Sequence, residues 1–91
     1  MKKVDANHKA IVEGLRSLGA SVQSIAEVGR GCPDLLVGWR KKNVILEVKD
    51  GQKFPSQRKL TIAEEEWHRS WRGQVNTVHS LEEAIGVLTG D

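Results

Sequence analysis

The strongest constraint on the fold is a pair of apolar, partly β-branched segments separated by a short basic turn. Residues 34–39 and 43–49 contain the two segments, and residues 40–42 form the turn. Two apolar runs around a short polar turn are typical of a β-hairpin. The second run carries Glu47 and Lys49, although its composition is otherwise that of a buried strand. Charged residues rarely enter such strands unless they are paired or bind a metal ion.

The predicted hairpin brings three charged side chains together. Side chains alternate between the faces of a strand, so Glu47 and Lys49 share one face. With a two-residue loop at Arg40-Lys41, Asp34 lies directly opposite Glu47. A four-residue loop over residues 40–43 shifts the pairing by two positions and keeps Asp34 on the same face. An odd-length loop or a bulge would break this arrangement.

Two carboxylates and one ammonium group in this arrangement predict a metal site. Close carboxylates repel each other, and a divalent cation removes the repulsion. Oxygen ligands favour Mg²⁺ or Mn²⁺, so we expect Asp34, Glu47 and the Val48 main-chain carbonyl as ligands. Such an ion can acidify a water molecule and neutralise charge on a phosphoryl oxygen. Lys49 would orient the attacking water or stabilise the charge on the phosphate. An exposed cross-strand ion pair is the alternative for an isolated Glu-x-Lys.

The charge distribution favours a nucleic acid partner. The net charge is only +2, but residues 30–59 carry eight basic and three acidic side chains. Residues 60–91 carry two basic and six acidic ones. A basic segment favours an anionic partner, most commonly nucleic acid, although a solvated basic surface has the same composition. The candidate DNA-binding residues lie in the hairpin turn and in the loop after the site: Arg40, Lys41, Lys42, Lys53, Arg58 and Lys59.

Length and composition limit the remaining possibilities. A chain of 91 residues has room for one domain, expected over residues 1–91. No apolar run approaches the roughly 20 residues of a membrane span, and the first residues do not resemble a secretory signal. The lone Cys32 excludes an internal disulfide and favours a reducing cytoplasm. Residues 29–31 do not resemble a phosphate-binding loop, so no nucleotide cofactor is expected.

Periodicity and turn residues predict an α/β fold with the order helix, three strands, helix, strand, helix. The first helix is expected to be capped by Asp5 or Asn7, and the first strand to cover residues 21–28. A strand is also expected over residues 74–79.

Two capping-box patterns predict the starts of the later helices. Thr61 with Glu64 predicts the start of the second helix, and Ser80 with Glu83 predicts the start of the third. The second helix carries two tryptophans, at residues 67 and 71, that lie on one face and are expected to pack in the core.

The hairpin and its flanks resemble a known family of nucleases. The sequences G-C-P-D-L-L-V-G over residues 31–38 and I-L-E-V-K over residues 45–49 are similar to the PD-(D/E)XK superfamily. The sequences K-L-T over residues 59–61, E-E-W-H over 65–68 and W-R-G over 71–73 are similar to stand-alone phage and bacterial VRR-NUC domains.

The resemblance implies a restriction-endonuclease-like core, with a central mixed β-sheet flanked by helices. It also implies a Mg²⁺- or Mn²⁺-dependent DNA endonuclease similar to Holliday-junction resolvases, selective for branched DNA and active as a homodimer. Carried over to this sequence, Asp34 and Glu47 bind the metal with the Val48 carbonyl, and Lys49 assists the water.

The sequence departs from this family at the first helix. Many relatives have a glutamate 24 residues before the motif aspartate, where this chain has Ala10. Glu13 is a candidate substitute ligand one turn further on, and Asn7 is near enough to reach the site. Glu64 lies where relatives often have glutamine, so it is either catalytic or only a helix cap. The missing glutamate leaves open an alternative, a non-catalytic DNA-binding module that retains the nuclease fold.

Overall fold

The fold is built on a mixed four-stranded β-sheet. A computed structural model describes residues 6–90 of the chain. The helices are α1 (Ala6–Ser17), α2 (Ile62–Ser70) and α3 (Leu81–Thr89), and the strands are β1 (Ser21–Ser24), β2 (Leu35–Trp39), β3 (Lys42–Val48) and β4 (Asn76–Val78). The strand order is β1-β2-β3-β4, with β4 parallel to β3 and the other pairs antiparallel. The predicted α/β class and element order are confirmed.

A two-residue turn joins β2 to β3, which matches the shorter of the two predicted loops. Trp39 pairs with Lys42, so Arg40 and Lys41 form the turn, with φ angles of 48° and 68°. Positive φ at both positions is typical of a type I′ turn, whose twist matches that of the flanking strands. The Arg40 Cζ atom lies 4.3 Å from the centroid of the Trp39 ring, where a cation–π contact stabilises the turn.

One face of the sheet carries the apolar core, beneath α1 and α3. From β3, Val44, Leu46 and Val48 point into this core. Because side chains alternate along a strand, Glu47 and Lys49 point to the opposite face, where α2 lies. The buried side chain of α2 is Glu64, and α2 contributes no residue to the core cluster among the described residues. The sheet therefore separates an apolar face from a charged one.

Two predictions about local structure are wrong. The strand expected over residues 21–28 ends at Ser24, and a 3-10 helix over Ala26–Val28 follows. The apolar residues of this segment recur every third position, which matches three residues per turn better than strand alternation. Neither Trp67 of α2 nor Trp71, which caps the end of this helix, joins the core. Trp67 and Trp71 stack with ring centroids 4.5 Å apart, and Trp71 is 43% exposed.

The second helix begins with the predicted capping box, but the third forms only half of one. Thr61 Oγ1 accepts a bond from Glu64 N at 3.2 Å, and Glu64 Oε1 accepts one from Thr61 N at 2.8 Å. At α3, Ser80 Oγ accepts a bond from Glu83 N at 3.1 Å. The Glu83 carboxylate, however, accepts bonds from the backbone N and ring Nδ1 of His79, at 3.0 and 2.9 Å.

The Glu83–His79 contact predicts a pH-dependent contribution to stability. The hydrogen bond from the His79 ring lowers the pKa of Glu83 below its ordinary value of 4.5, and a smaller effect of burial opposes it. A lowered carboxyl pKa stabilises the fold above pH 4.5, and this stabilisation is lost as pH falls through the folded-state value. Because Glu83 is half exposed, we expect Glu83→Gln to reduce stability at pH 7 by only about 0.5 kcal/mol.

Thermal denaturation of the wild type and Glu83→Gln between pH 3 and pH 7 tests this prediction. The difference in Tm should shrink as pH falls below 4.5. The matched control is Glu82→Gln, an exposed change in the same helical turn. A Glu83→Gln difference that grows in acid would contradict the assigned sign.

Candidate active site

Asp34 directly precedes β2 and lies beside the last residues of β3. The regular β2–β3 pairing ends at Leu46, and Asp34 N donates to the Leu46 carbonyl at 3.1 Å. The expected direct pairing of Asp34 with Glu47 therefore lies outside the regular register. Asp34 Oδ2 instead accepts a hydrogen bond from Val48 N at 2.8 Å. This bond attaches the carboxylate to the backbone between Glu47 and Lys49.

The same bond sets the direction of the Val48 carbonyl. In an antiparallel pair, the N–H and C=O groups of one residue point to the same side of their strand. Because Val48 N–H points to Asp34, the Val48 carbonyl is directed to the same side. Asp34 and Val48 thus place a side-chain oxygen donor and a main-chain oxygen donor at the end of β2.

Two side chains of α2 contact the face of the sheet that carries Glu47 and Lys49. Lys49 Nζ donates to Glu64 Oε1 at 2.8 Å, and His68 Nε2 lies 3.6 Å from Glu47 Oε1. Glu64 and His68 are four residues apart and share one face of the helix. The two contacts therefore lie side by side between β3 and α2.

Three carboxyl groups of this region are buried. The exposed fractions are 3% for Asp34, 0% for Glu47 and 4% for Glu64. Buried carboxylates are strongly destabilising unless cations or hydrogen bonds compensate them. Lys49 is the ammonium group that compensates Glu64, at 2.8 Å. Such a concentration of buried acidic groups at one end of a sheet is typical of a functional site.

The electrostatic environment keeps His68 neutral at pH 7. Burial lowers the pKa of His68 below its ordinary value of 6.5. The charge of Glu64 opposes this shift and the charge of Lys49 reinforces it. The ring beside Glu47 therefore has one N–H donor and one acceptor nitrogen rather than two donors.

The glycine-containing loop before β2 packs closely against the start of α2. Gly29, Arg30 and Gly31 all have positive φ. A Cβ atom on Gly31 would overlap the Ala63 carbonyl, so only glycine permits this approach. The loop and the start of α2 line a cavity of about 610 Å³ that reaches Glu64.

From the first helix, the side chain of Asn7 rather than that of Glu13 reaches the region of the site. Glu13 is 65% exposed and lies 4.0 Å from Lys9 Nζ, a position that does not support it as a metal ligand. Asn7 lies inside α1 and is not its cap, and Asp5 lies outside the described residues. The Asn7 side chain donates to the carbonyls of Lys49 and His79, at 3.1 and 3.2 Å. It thereby fixes the end of β3 to the segment after β4.

The candidate DNA-binding residues differ in their surroundings. At the hairpin turn, Lys41 and Lys42 are exposed, and Arg40 lies over Trp39. In the loop after the site, Lys53 and Lys59 are exposed. Arg58 is half-buried, and its Nη1 donates to the Gly51 carbonyl at 3.1 Å, so it also holds the loop together.

His68 is not among the site residues that the sequence predicts. Its side chain is only 16% exposed and faces Glu47. The signal was its spacing of four residues from Glu64, because this spacing puts two side chains on one helical face. Asn7 was suspected of reaching the site, but its bond to the Lys49 carbonyl follows only from the packing of α1.

A metal ion at this site would need main-chain oxygen or water as well as side chains. Within residues 6–90, no group of three or more His, Cys, Asp or Glu side chains is arranged to hold a metal ion. Asp34, Glu47 and the Val48 carbonyl are the groups that could offer oxygen atoms to such an ion. Over the same residues, no helix has the length and apolar character needed to cross a membrane.

The mixed sheet, with acidic residues and a lysine at the end of its central hairpin, defines a restriction-endonuclease-like α/β nuclease fold. A solved structure described as a "VRR_NUC domain" matches with 30% identity and a TM-score of 0.57, covering 91% of this chain and 90% of that chain. The chain belongs to the VRR-NUC family of nuclease domains. No protein-family model matches the sequence, and no curated protein does either.

Proposed function

We propose that this VRR-NUC domain is a Mg²⁺- or Mn²⁺-dependent DNA endonuclease selective for branched DNA. The observation that carries the proposal is the hydrogen bond from Val48 N to Asp34 Oδ2, at 2.8 Å. It holds one buried carboxylate against the segment that carries the second, Glu47, and the amine of Lys49. An acid pair with a neighbouring lysine supplies the groups that phosphodiester hydrolysis requires.

The donor set fits a hard divalent cation. Asp34, Glu47 and the Val48 carbonyl offer oxygen atoms only, which suits Mg²⁺ and Mn²⁺. These ions prefer octahedral coordination, so water and phosphate oxygens would occupy the remaining positions. When bound, the ion supplies positive charge that favours deprotonation of water and offsets charge on the phosphate. Glu13 is left out of the set because its side chain is exposed beside Lys9.

Lys49 acts on the reacting groups from the side of α2. Glu64 Oε1 accepts its hydrogen bond at 2.8 Å, and this contact limits where the ammonium group can point. From there Lys49 orients the attacking water or stabilises the charge that builds on the phosphate. Glu64 is thus a positioning residue for Lys49 as well as part of the helix cap.

Cleavage of two strands is proposed to require a homodimer. The described part of the domain measures 32 × 29 × 26 Å, which is about one turn of duplex DNA. One domain therefore spans one cleavage position, and a two-fold pair would present two sites to a symmetric junction. Light scattering of the purified protein should give twice the mass of one chain, and paired cuts should appear in a four-way junction. A monomer that makes paired cuts would contradict the dimer.

The central test is cleavage of four-way junctions, flaps and plain duplexes by the purified protein. We expect cleavage with Mg²⁺ or Mn²⁺, preference for the branched substrates, and no cleavage with a chelator. Asp34→Asn is the variant that tests the site, because it keeps the size of the side chain and removes the charge. Cleavage by Asp34→Asn at the wild-type rate would contradict the proposed site.

The second candidate function is a non-catalytic DNA-binding module. The observation that favours it is Ala10, which replaces the first-helix glutamate of many relatives, in a chain whose Glu13 is exposed. This function predicts salt-dependent DNA binding without cleavage by any divalent cation. It is the conclusion if DNA is bound but remains intact with both Mg²⁺ and Mn²⁺.

Removing lysines from the loop after the site should weaken DNA binding without changing its sequence preference. Each lysine that contacts phosphate releases counterions, so the slope of log K against log salt falls by about 0.9 per contact. For Lys53→Gln with Lys59→Gln we expect a slope reduced by about 2. The double variant Lys41→Gln with Lys42→Gln tests the hairpin turn in the same way. Arg58 is left unchanged because it bonds to the Gly51 carbonyl.

The measurement is fluorescence anisotropy with a labelled junction at several salt concentrations. Lys9→Gln is the matched control, since Lys9 is an exposed lysine on α1 that pairs with Glu13. It should leave the slope unchanged. If the loop variants and Lys9→Gln show the same slope of log K against log salt, the basic loop is only a solvated surface.

A further inference from the structure

We propose that His68 is a positioning residue for Glu47, whose carboxylate it holds through a hydrogen bond from Nε2–H. The role rests on the proposed function, because it concerns how Glu47 presents an oxygen to the cation. It assigns to α2 a direct part in forming the metal site.

The position of His68 follows from the packing of α2 on β3. Glu64 and His68 share one helical face, and Lys49 and Glu47 share one strand face. The Lys49–Glu64 bond, at 2.8 Å, fixes the register of the two elements. In that register His68 Nε2 lies 3.6 Å from Glu47 Oε1. His68 therefore faces Glu47 in the same register in which Glu64 bonds to Lys49.

The burial of His68 indicates that its Nε2 atom requires an acceptor. The side chain is 16% exposed, and Nε2 is inaccessible to solvent and has no hydrogen-bond partner within 3.5 Å. A buried nitrogen without a partner is destabilising. Glu47 Oε1 lies just beyond hydrogen-bond distance, so a small side-chain rotation completes the contact. The neighbouring Trp67 ring lies edge-on to His68, with ring centroids 6.1 Å apart.

A hydrogen bond to one oxygen would orient the whole carboxylate. With Oε1 bonded to His68, rotation of the Glu47 carboxylate is restricted and Oε2 is presented to the cation. Carboxylates that bind metals are commonly held in this way by a neighbouring donor. Direct ligation by His68 is the competing arrangement. It is disfavoured because the described residues include no group of three acidic or histidine side chains arranged around one metal.

The first experiment determines which ring nitrogen of His68 carries the proton. Long-range ¹H–¹⁵N spectra of the uniformly labelled wild type, with His68→Gln to assign the signal, distinguish the two tautomers. We expect a protonated Nε2 and an unprotonated Nδ1, both before and after Mg²⁺ is added. An unprotonated Nε2, or an Nε2 signal shifted by direct coordination, would overturn the proposal. This measurement needs no folded variant other than the one used for assignment.

The second experiment measures Mn²⁺ binding by loss of the free-ion paramagnetic resonance signal. His68→Phe keeps a ring without a donor, and His68→Gln keeps a donor near the position of Nε2. We expect His68→Phe to bind Mn²⁺ about 10- to 100-fold more weakly, and His68→Gln to recover most of the loss. Glu66→Gln, an exposed change on the same helix, is the control and should bind as the wild type does.

The outcomes separate this inference from the proposed function. A wild type that binds no Mn²⁺ would contradict the metal-dependent function itself. A wild type that binds Mn²⁺, with equal binding by His68→Phe, would contradict only the role of His68. The same conclusion follows if His68→Gln and His68→Phe are equally impaired although both show the wild-type circular dichroism spectrum.

Discussion

Replacing Glu47 with glutamine is expected to reduce DNA cleavage by about 10²–10³-fold or more, and to stabilise the metal-free domain at the same time. Glutamine has nearly the same shape but lacks the negative charge through which Glu47 is proposed to bind the cation. The loss should therefore appear in Mn²⁺ affinity as well as in the cleavage rate. A junction cleavage assay and a Mn²⁺ titration measure the two effects.

The gain in stability has a separate physical cause. Glu47 is completely buried and lies beside the backbone segment to which Asp34 is bound. Without a cation, the charge of a buried carboxylate opposes folding. Removing one charge should raise the free energy of unfolding by about 1–3 kcal/mol, an increase in Tm of several degrees for a domain of this size.

The Glu47 prediction is easy to contradict because cleavage is expected to fall while stability is expected to rise. A structural glutamate would show reduced stability in the glutamine variant, and cleavage would fall only in proportion to unfolding. Glu82→Gln, an exposed change on α3, is expected to alter neither quantity. Added Mn²⁺ should raise the Tm of the wild type and leave that of Glu47→Gln almost unchanged.

Replacing Lys49 with methionine is expected to reduce cleavage by about 10²–10³-fold while Mn²⁺ binding is retained. Methionine has a similar length and no charge, so the cation ligands remain in place. The ammonium group that is proposed to orient water or stabilise phosphate charge is lost. This variant therefore separates catalysis from metal binding, which Glu47→Gln does not.

The stability of Lys49→Met depends on Glu64. Glu64 has a 6% exposed side chain and loses its charged partner in this variant. We expect a loss of about 1.5–3 kcal/mol, the usual contribution of a hydrogen bond to a charged group. The bond from Thr61 N to Glu64 Oε1 remains and compensates part of the charge.

The double variant Lys49→Met with Glu64→Gln tests whether the two effects are independent. Stability should return close to the wild-type value, because the buried charge is removed together with its partner. Cleavage should stay low, because the amine is still missing. Recovery of cleavage in the double variant would show that Lys49 acts only by supporting Glu64, and would remove it from the catalytic mechanism.

The hairpin was predictable because its signal is local. Apolar runs around a two-residue turn fix the register from Trp39–Lys42 back to the start of β2, and the observed pairing follows this register. The capping box at Thr61 was predictable for the same reason, since its members are three residues apart. The segment after Ser24 was not, because apolar residues at every third position resemble both a weak strand and a 3-10 turn.

The sequence by itself determined that Glu47 and Lys49 share one face of a strand, and that Asp34 starts the strand beside it. These relations depend only on alternation along the backbone and on a short turn. The tertiary structure alone decided how the site is completed. Asp34 is held by Val48 N rather than by direct pairing, and His68 faces Glu47 because α2 packs across the sheet. Contacts between elements far apart in the chain depend on packing, which no local pattern specifies.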